Sequence, residues 1–304
     1  MAKTLIRFDW AMKRLLRQKS NFDILEGFLS ELLREDIKIE QTLESESNQE
    51  TAGMKFNRVD LLALNSKNQL IIIELQADSE VDYFYRMAFA TAKAVVEHFS
   101  LSEQYEQVKK VYSINIVYFN LGQGEDYVYH GRTEFRGLHR GDVLGLSERQ
   151  QKKFSINHVY EIYPEYYILK VNAFNDLATD SLDEWIYYLK NNEVRPGSRA
   201  KGLALVQKRL EFDGLSERDR RIYLKDIENQ AIERSIHRTS IEEAEERGIE
   251  RGIEQGIEQG EARTTRQGII RALQRGKLTI DEITEDFGVS VSLVLEIKQS
   301  LSGS

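Results

Sequence analysis

The feature that most constrains this chain is a carboxylate inside an oily strand, Leu70-Ile-Ile-Ile-Glu74-Leu-Gln76. The run is short and nearly all isoleucine and leucine, so it reads as a central strand buried on both faces. A second apolar run, Val59 to Leu64, precedes it across the polar stretch Asn65-Ser-Lys-Asn-Gln69, and the two together read as a hairpin with a longer loop. Side chains alternate along a strand, so Glu74 and Gln76 point one way while Ile73 and Leu75 point the other. Asp60, near the start of the partner strand, can lie opposite them.

Burying Glu74 among isoleucines is costly unless it is paired, neutralised or bound to a cation. A second carboxylate nearby raises that cost, because like charges disfavour each other's ionised form. A divalent cation removes the conflict. Mg²⁺ suits a site with few carboxylates because it keeps several waters and takes phosphate oxygens as further ligands. Asp, Glu and Mg²⁺ together describe a site for phosphodiester chemistry. The alternative is a core glutamate ion-paired with Arg58, Arg86 or Lys93, since structural ion pairs also place carboxylates in such positions.

The order Asp60, then Glu74-Leu75-Gln76, then a helix opening near Ser79 and carrying Arg86, resembles the PD-(D/E)XK nuclease superfamily. More narrowly it is similar to the Rpn branch, the recombination-promoting nucleases or putative transposases, in which the E-x-K signature reads E-x-Q. The likeness includes Phe8-Asp9-Trp10-Ala-Met-Lys13, the helix Phe22 to Leu33, the segment Leu43-Glu-Ser-Glu46, the strands near Ile114 to Phe119 and Tyr160 to Val171, and a Leu182-Asp-Glu-Trp185 helix. It covers roughly the first two-thirds of the chain and, more loosely, the glycine-rich repeat after it.

The resemblance implies a metal-dependent DNA endonuclease that uses Mg²⁺, with Mn²⁺ as substitute. It makes Asp60 and Glu74 the ligands, with the backbone carbonyl of Leu75 as a further one, and gives Gln76 the place of the superfamily's lysine. An ammonium can orient or help deprotonate the attacking water, whereas an amide only hydrogen-bonds to it or to the phosphate. Arg86 and Lys93, seven residues apart on one helix face, are the candidates for the missing positive charge and for contact with nucleic acid. Glu26, in an early helix, is a candidate additional ligand, and Glu46 touches the site if its acidic loop overhangs the metal.

The chain has no cysteine, so disulfides and thiolate metal sites are excluded. Five scattered histidines (His98, His130, His139, His158, His237) lack zinc-ligand spacing. No apolar signal core opens the sequence and no run approaches a membrane span, so no membrane partner and a cytoplasmic location are expected. The net charge of −8 argues mildly against a protein that coats nucleic acid without specificity. Residues 241 to 304 hold 8 basic and 13 acidic residues. Arg195 to Arg238 holds 11 basic and 7 acidic ones, a modest excess that usually means a solvated helical face.

Strands and helices alternate up to the boundary Asn191-Asn-Glu-Val-Arg-Pro-Gly-Ser198, which predicts an α/β fold with a mixed sheet flanked by helices. Residues 1–194 then form the nuclease-like domain, 195–240 a helical link, and 241–304 a helical extension. Ser79 is the expected cap of a helix whose apolar face is Phe84, Ala88, Thr91, Ala92, Val95 and Phe99. Tyr83 and Tyr85, possible base-stacking platforms, are read as half-buried aromatics because no basic and aromatic repeat surrounds them.

In the extension, Gly248, Gly252, Gly256 and Gly260 recur every four residues, as do Ile249, Ile253 and Ile257. Each interior glycine costs a helix about 1 kcal/mol relative to alanine, a loss that close approach of another helix offsets. The repeat therefore reads as a homo-oligomerisation helix; the competing reading is a flexible linker. The segment Leu278 to Lys298 reads as two short helices in helix-turn-helix order. Its acidic character argues against groove binding and for a packing cap.

Overall fold

The computed structural model describes residues 5–43, 60–99 and 104–302. Arg58, Val59 and Glu46 lie outside the described residues. The chain divides into two units, Met1–Tyr223 and Leu224–Ser304.

The first unit opens with α1 (Phe8–Arg14), α2 (Phe22–Leu33), β1 (Ile39–Leu43), β2 (Leu61–Asn65) and β3 (Leu70–Gln76). The hairpin between β2 and β3 is made by its own asparagine: Asn65 Oδ1 accepts from the backbone N–H of Lys67 at 3.0 Å and of Gln69 at 2.9 Å, and Asn68 takes the left-handed conformation at φ 59°. A short amide side chain that bonds its own turn is what such a loop needs. After α3 (Tyr83–Glu97) come β4 (Val111–Val117), β5 (Val128–Gly131), α4 (Glu148–Phe154), β6 (Glu165–Lys170), α5 (Ser181–Asn191) and α6 (Leu203–Arg209). The six strands form one mixed sheet in the order β1-β2-β3-β4-β6-β5. β3, β4 and β6 run parallel, and the outer pairs are antiparallel. The α/β class with a mixed sheet and flanking helices is thus the one the sequence predicts.

β3 is central and every residue from Leu70 to Leu75 is buried. Its even positions share a face with α3: Leu70 and Ile72 pack with Leu62, Val111, Ala90 and Ala94. This corrects the expected face of α3. The buried stripe is Tyr83, Met87, Ala90, Thr91 and Ala94, while Phe84, Ala88 and Ala92 are exposed. The stripe still has helical spacing, but its middle is small. Alanine and threonine let the helix lie close on the isoleucine sheet, and the larger Phe84 and Phe89 turn outward. The helix also starts at Tyr83 rather than just after Ser79.

Elsewhere in this unit Phe8, Phe28, Trp185 and Tyr188 meet mostly edge to face at centroid distances of 5.4 to 6.1 Å. Gly27 lets α2 touch the chain at Gly202, where a Cβ would sit 2.4 Å from the Lys201 carbonyl oxygen. α7 (Glu217–Arg275) begins in the first unit and is the long element of the second.

In the second unit α7 is followed by α8 (Ile280–Phe287) and α9 (Val291–Ser302). Thr279 and Glu282 form a capping box at the start of α8, and Gly288 ends it at φ 60°. Ser290 Oγ accepts from the N–H of Leu293 at the start of α9. Ile269, Ile283, Val294 and Ile297 are fully buried together, so the two short helices cap the end of α7. The glycine and isoleucine repeat is helical throughout. No helix among the described residues is long and apolar enough to cross a membrane.

Candidate active site

The register of the hairpin brings the two acids together. Leu61 is opposite Ile73, so one step further along β2 sets Asp60 beside Glu74. Asp60 Oδ2 accepts the backbone N–H of Leu75 at 2.8 Å. The N–H and C=O of one strand residue face the same neighbour, so the Leu75 carbonyl opens on the Asp60 side, while the Gln76 carbonyl accepts from Tyr118 N across β4 at 3.0 Å. Asp60 is also held from α1 and the turn after it: Lys13 Nζ lies 3.7 Å from Oδ1, and Arg17 donates to the Asp60 carbonyl.

Glu74 is 1% exposed and faces α3. Its Oε1 is paired with Arg86 Nη2, and Arg86 Nη1 reaches Glu80 Oε1 at 2.7 Å. Burial pushes the Glu74 carboxyl above its ordinary value; Arg86 pulls it back, and the neighbouring Asp60 charge adds to the rise. Burial works against the Arg86 cation too, but Glu74 and Glu80 together hold its pKa up. Tyr83 lies under the Arg86 guanidinium at 5.9 Å and donates its hydroxyl to Asn115 Oδ1 at 3.3 Å, closing the inner wall of the cluster. Gln76 is half-buried: Nε2 donates to Glu80 Oε1 at 2.9 Å and to the Asp78 carbonyl at 3.2 Å, and Oε1 accepts from Arg86 Nη1 at 3.4 Å.

Asp60, Glu74, Leu75, Gln76 and Arg86 therefore meet in one place. Lys93 instead pairs with Glu97 one turn on, at 3.4 Å. Glu26 is spent on structure: one oxygen accepts from Ile39 N at 3.0 Å and the other from Lys38 Nζ at 2.9 Å, which fastens β1 to α2. Of the two tyrosines read as half-buried, Tyr83 is fully buried and Tyr85 is 81% exposed. Glu80, Lys13 and Arg17 join the cluster without having been singled out from the sequence. Glu80 carries a local signal, an acid six residues before the arginine it pairs with. Lys13 and Arg17 depend on how α1 packs and carry none.

Among the described residues no group of three or more His, Asp or Glu side chains forms a metal cage. The candidate donors are two carboxylates and a carbonyl. That set fits a hard cation which keeps much of its water shell, and the like-charge strain between Asp60 and Glu74 is what such a cation would relieve.

Neither a curated protein nor a solved structure matches the chain. Residues 6–235 match the PD-(D/E)XK nuclease family transposases. The match spans the sheet, both acids and the flanking helices, and the chain belongs to that family.

Proposed function

We propose that the chain is a Mg²⁺-dependent endonuclease that hydrolyses DNA phosphodiesters in a recombination or transposase-like role, with Mn²⁺ as a substitute ion. The observation that carries the reading is the bond from Leu75 N–H to Asp60 Oδ2, which fixes the second acid beside a buried Glu74. Asp60, Glu74 and the Leu75 carbonyl would hold the cation. A bound divalent ion polarises the scissile phosphate and lowers the pKa of the attacking water.

The chain's own residues do the rest. The Gln76 amide orients the water or a phosphate oxygen by hydrogen bonding, and Arg86 supplies the positive charge that a lysine at position 76 would bring. Lys93, further along the same helix, contacts the nucleic acid backbone. Residues 1–194 act as the nuclease-like domain, 195–240 as a helical link and 241–304 as a homo-oligomerisation extension, in a cytoplasmic protein.

Nicking of supercoiled DNA with Mg²⁺ or Mn²⁺ tests this. Asp60→Ala and Glu74→Gln should each lower cleavage beyond the roughly 100-fold that loss of an outer partner costs. Cleavage that survives Asp60→Ala would remove the site assignment. One observation favours a second reading: Gln76 and Arg86 both engage Glu80. A site locked in that way serves a cleavage-deficient nucleic-acid-binding or regulatory oligomer, which would bind DNA in a salt-dependent manner and not cut it.

A further inference from the structure

The isoleucines of the repeat are large and open to solvent: Ile249 is 63% exposed, Ile253 59% and Ile257 58%. A Cβ added at Gly248, Gly252, Gly256 or Gly260 would meet nothing within 4 Å. The glycines alone single out no partner, but the charges around them are unevenly placed along α7. Before the repeat stand Glu242, Glu243, Glu245 and Glu246, and after it Arg263 and Arg266. On a helical wheel, Glu242, Glu245, Glu246 and Arg263 all project within about 60° of Ile249. Acid at one end and base at the other therefore share the side that carries the isoleucines.

That asymmetry decides the orientation of a pair of such helices. Side by side in the same direction, Glu242, Glu245 and Glu246 of one chain would lie against the same three of the other, and Arg263 against Arg263. Like charges in that relation are unfavourable. Reversing one helix about residue 254 changes the relations at the two ends of the repeat, while Glu250, Glu254 and Glu258, on the side away from Ile249, still face acids. Counting outward from that point, the ninth residues are Glu245 and Arg263, the twelfth are Glu242 and Arg266, and the seventh are Arg247 and Glu261. The same reversal brings Gly252 against Gly256 and Gly248 against Gly260, where the missing side chains let two backbones come close. It also yields a self-complementary contact with two-fold symmetry, the commonest closed arrangement of identical chains.

We propose that α7 pairs with α7 of a second copy of this chain as an antiparallel two-fold dimer. The pair is centred on Gly252 and Gly256, the isoleucine faces are in contact, and Glu242 and Glu245 lie opposite the partner's Arg266 and the partner's Arg263. This refines the homo-oligomer reading above by fixing number and direction. It is independent of whether the first unit cuts DNA.

The chain has no native cysteine, so single cysteines report cleanly. Full-length Glu245→Cys and Arg263→Cys proteins, oxidised mildly as a mixture, should give a disulfide-linked dimer. Either alone should give none, because its two thiols would stand about 27 Å apart along the pair. Sedimentation of the wild type should give a dimer. Ile249→Ser with Ile253→Ser, at exposed positions that leave the helical circular dichroism intact, should raise its dissociation constant at least tenfold. A linked dimer from Glu245→Cys alone means a parallel pair and overturns the proposal while leaving the oligomer reading. A dimer unmoved by the serine changes places the contact elsewhere and also overturns it. A monomeric wild type overturns both.

Discussion

Replacing Arg86 by methionine tests whether the Glu74 carboxylate is held charged by that one guanidinium. Glu74 is 1% exposed, and the Arg86 side chain is 25% exposed. Breaking a buried ion pair from one side costs about 3–5 kcal/mol. Arg86 is 25% exposed and water enters at that edge, so the cost falls at or just below the bottom of that range, about 2–3 kcal/mol at pH 8. Without the guanidinium, burial and the Asp60 charge push the Glu74 carboxyl further up. The sign follows from linkage. Glu74 is already raised above the ordinary 4.5 by burial. Its contribution to stability is fully present below that value and is lost as pH rises through the folded value. Removing Arg86 pushes the folded value higher, so the variant should lose most at pH 8 and under about 1 kcal/mol at pH 5. Urea unfolding followed by tryptophan fluorescence reads the first unit alone, because Trp10 and Trp185 are the chain's two tryptophans and both are buried there. Pairing Arg86→Met with Glu74→Gln should recover most of the loss at pH 8. A deficit equal at both pH values, or one below about 0.5 kcal/mol, would refute the reasoning.

Two more outcomes follow from named contacts. Lys110 Nζ bonds the Tyr160 and Tyr163 carbonyls at 2.6 Å each and Glu165 Oε1 at 2.7 Å, with both side chains under a tenth exposed. Burial pushes Glu165 up, but Lys110 and His130 outweigh it and hold its carboxyl below the ordinary 4.5, so this stability is present above that value and lost as pH falls through the folded one. Lys110→Met should therefore cost about 3–5 kcal/mol at pH 7 in urea unfolding, and less below pH 4. Gly27→Ala and Gly268→Ala differ in what the new methyl meets at 2.4 Å: the Lys201 backbone oxygen in the first case and the Phe287 ring in the second. A ring can turn aside and a backbone cannot. The first change should cost at least about 1–3 kcal/mol despite alanine's better helix propensity, whereas calorimetry should find the second within about 1 kcal/mol of wild type.

How much the sequence revealed depends on the range of the interaction. The β2–β3 hairpin was legible because the polar loop and the two nearly continuous apolar runs around it are local signals, and Glu74 stood out because a charge among isoleucines needs a partner. Given the register, Asp60 followed by counting. The rotation of α3 was not legible: Phe84 and Phe89 dominate any hydrophobic count, yet the sheet selects Ala90, Thr91 and Ala94 because close approach favours small residues. Nor could Lys13 and Arg17 be assigned to Asp60, since 47 and 43 residues separate them and only the packing of α1 brings them near. Glu26 shows the reverse error. A helix carboxylate that resembles a ligand is consumed by Lys38 and Ile39, a pairing that spacing alone does not distinguish from metal binding.

The amide at position 76 offers the sharpest test of the proposed chemistry. Gln76 Nε2 already donates to Glu80, which Arg86 shares, so an ammonium placed there would find an acceptor without a new cavity. Gln76→Lys should therefore fold with a stability within about 1 kcal/mol of wild type. Electrostatics around the acids would change more. Asp60, Glu74 and Glu80 face Arg86, Lys13 and Arg17, which balance them, and a lysine at position 76 leaves an excess of one positive charge. A unit charge roughly 5 Å from a divalent ion costs about 1.7 kcal/mol even at the dielectric of water, and more in a partly dry site. The Mg²⁺ concentration for half-maximal cleavage should rise tenfold or more, while the rate at saturating metal rises because an ammonium can orient and help deprotonate the attacking water. These two quantities rise together only if the residue borders both the cation and the water. Titration of cleavage against Mg²⁺ for wild type and variant separates them. An unchanged metal requirement would mean that position 76 does not face the ion, and the roles given to Asp60 and Glu74 would have to be reassigned.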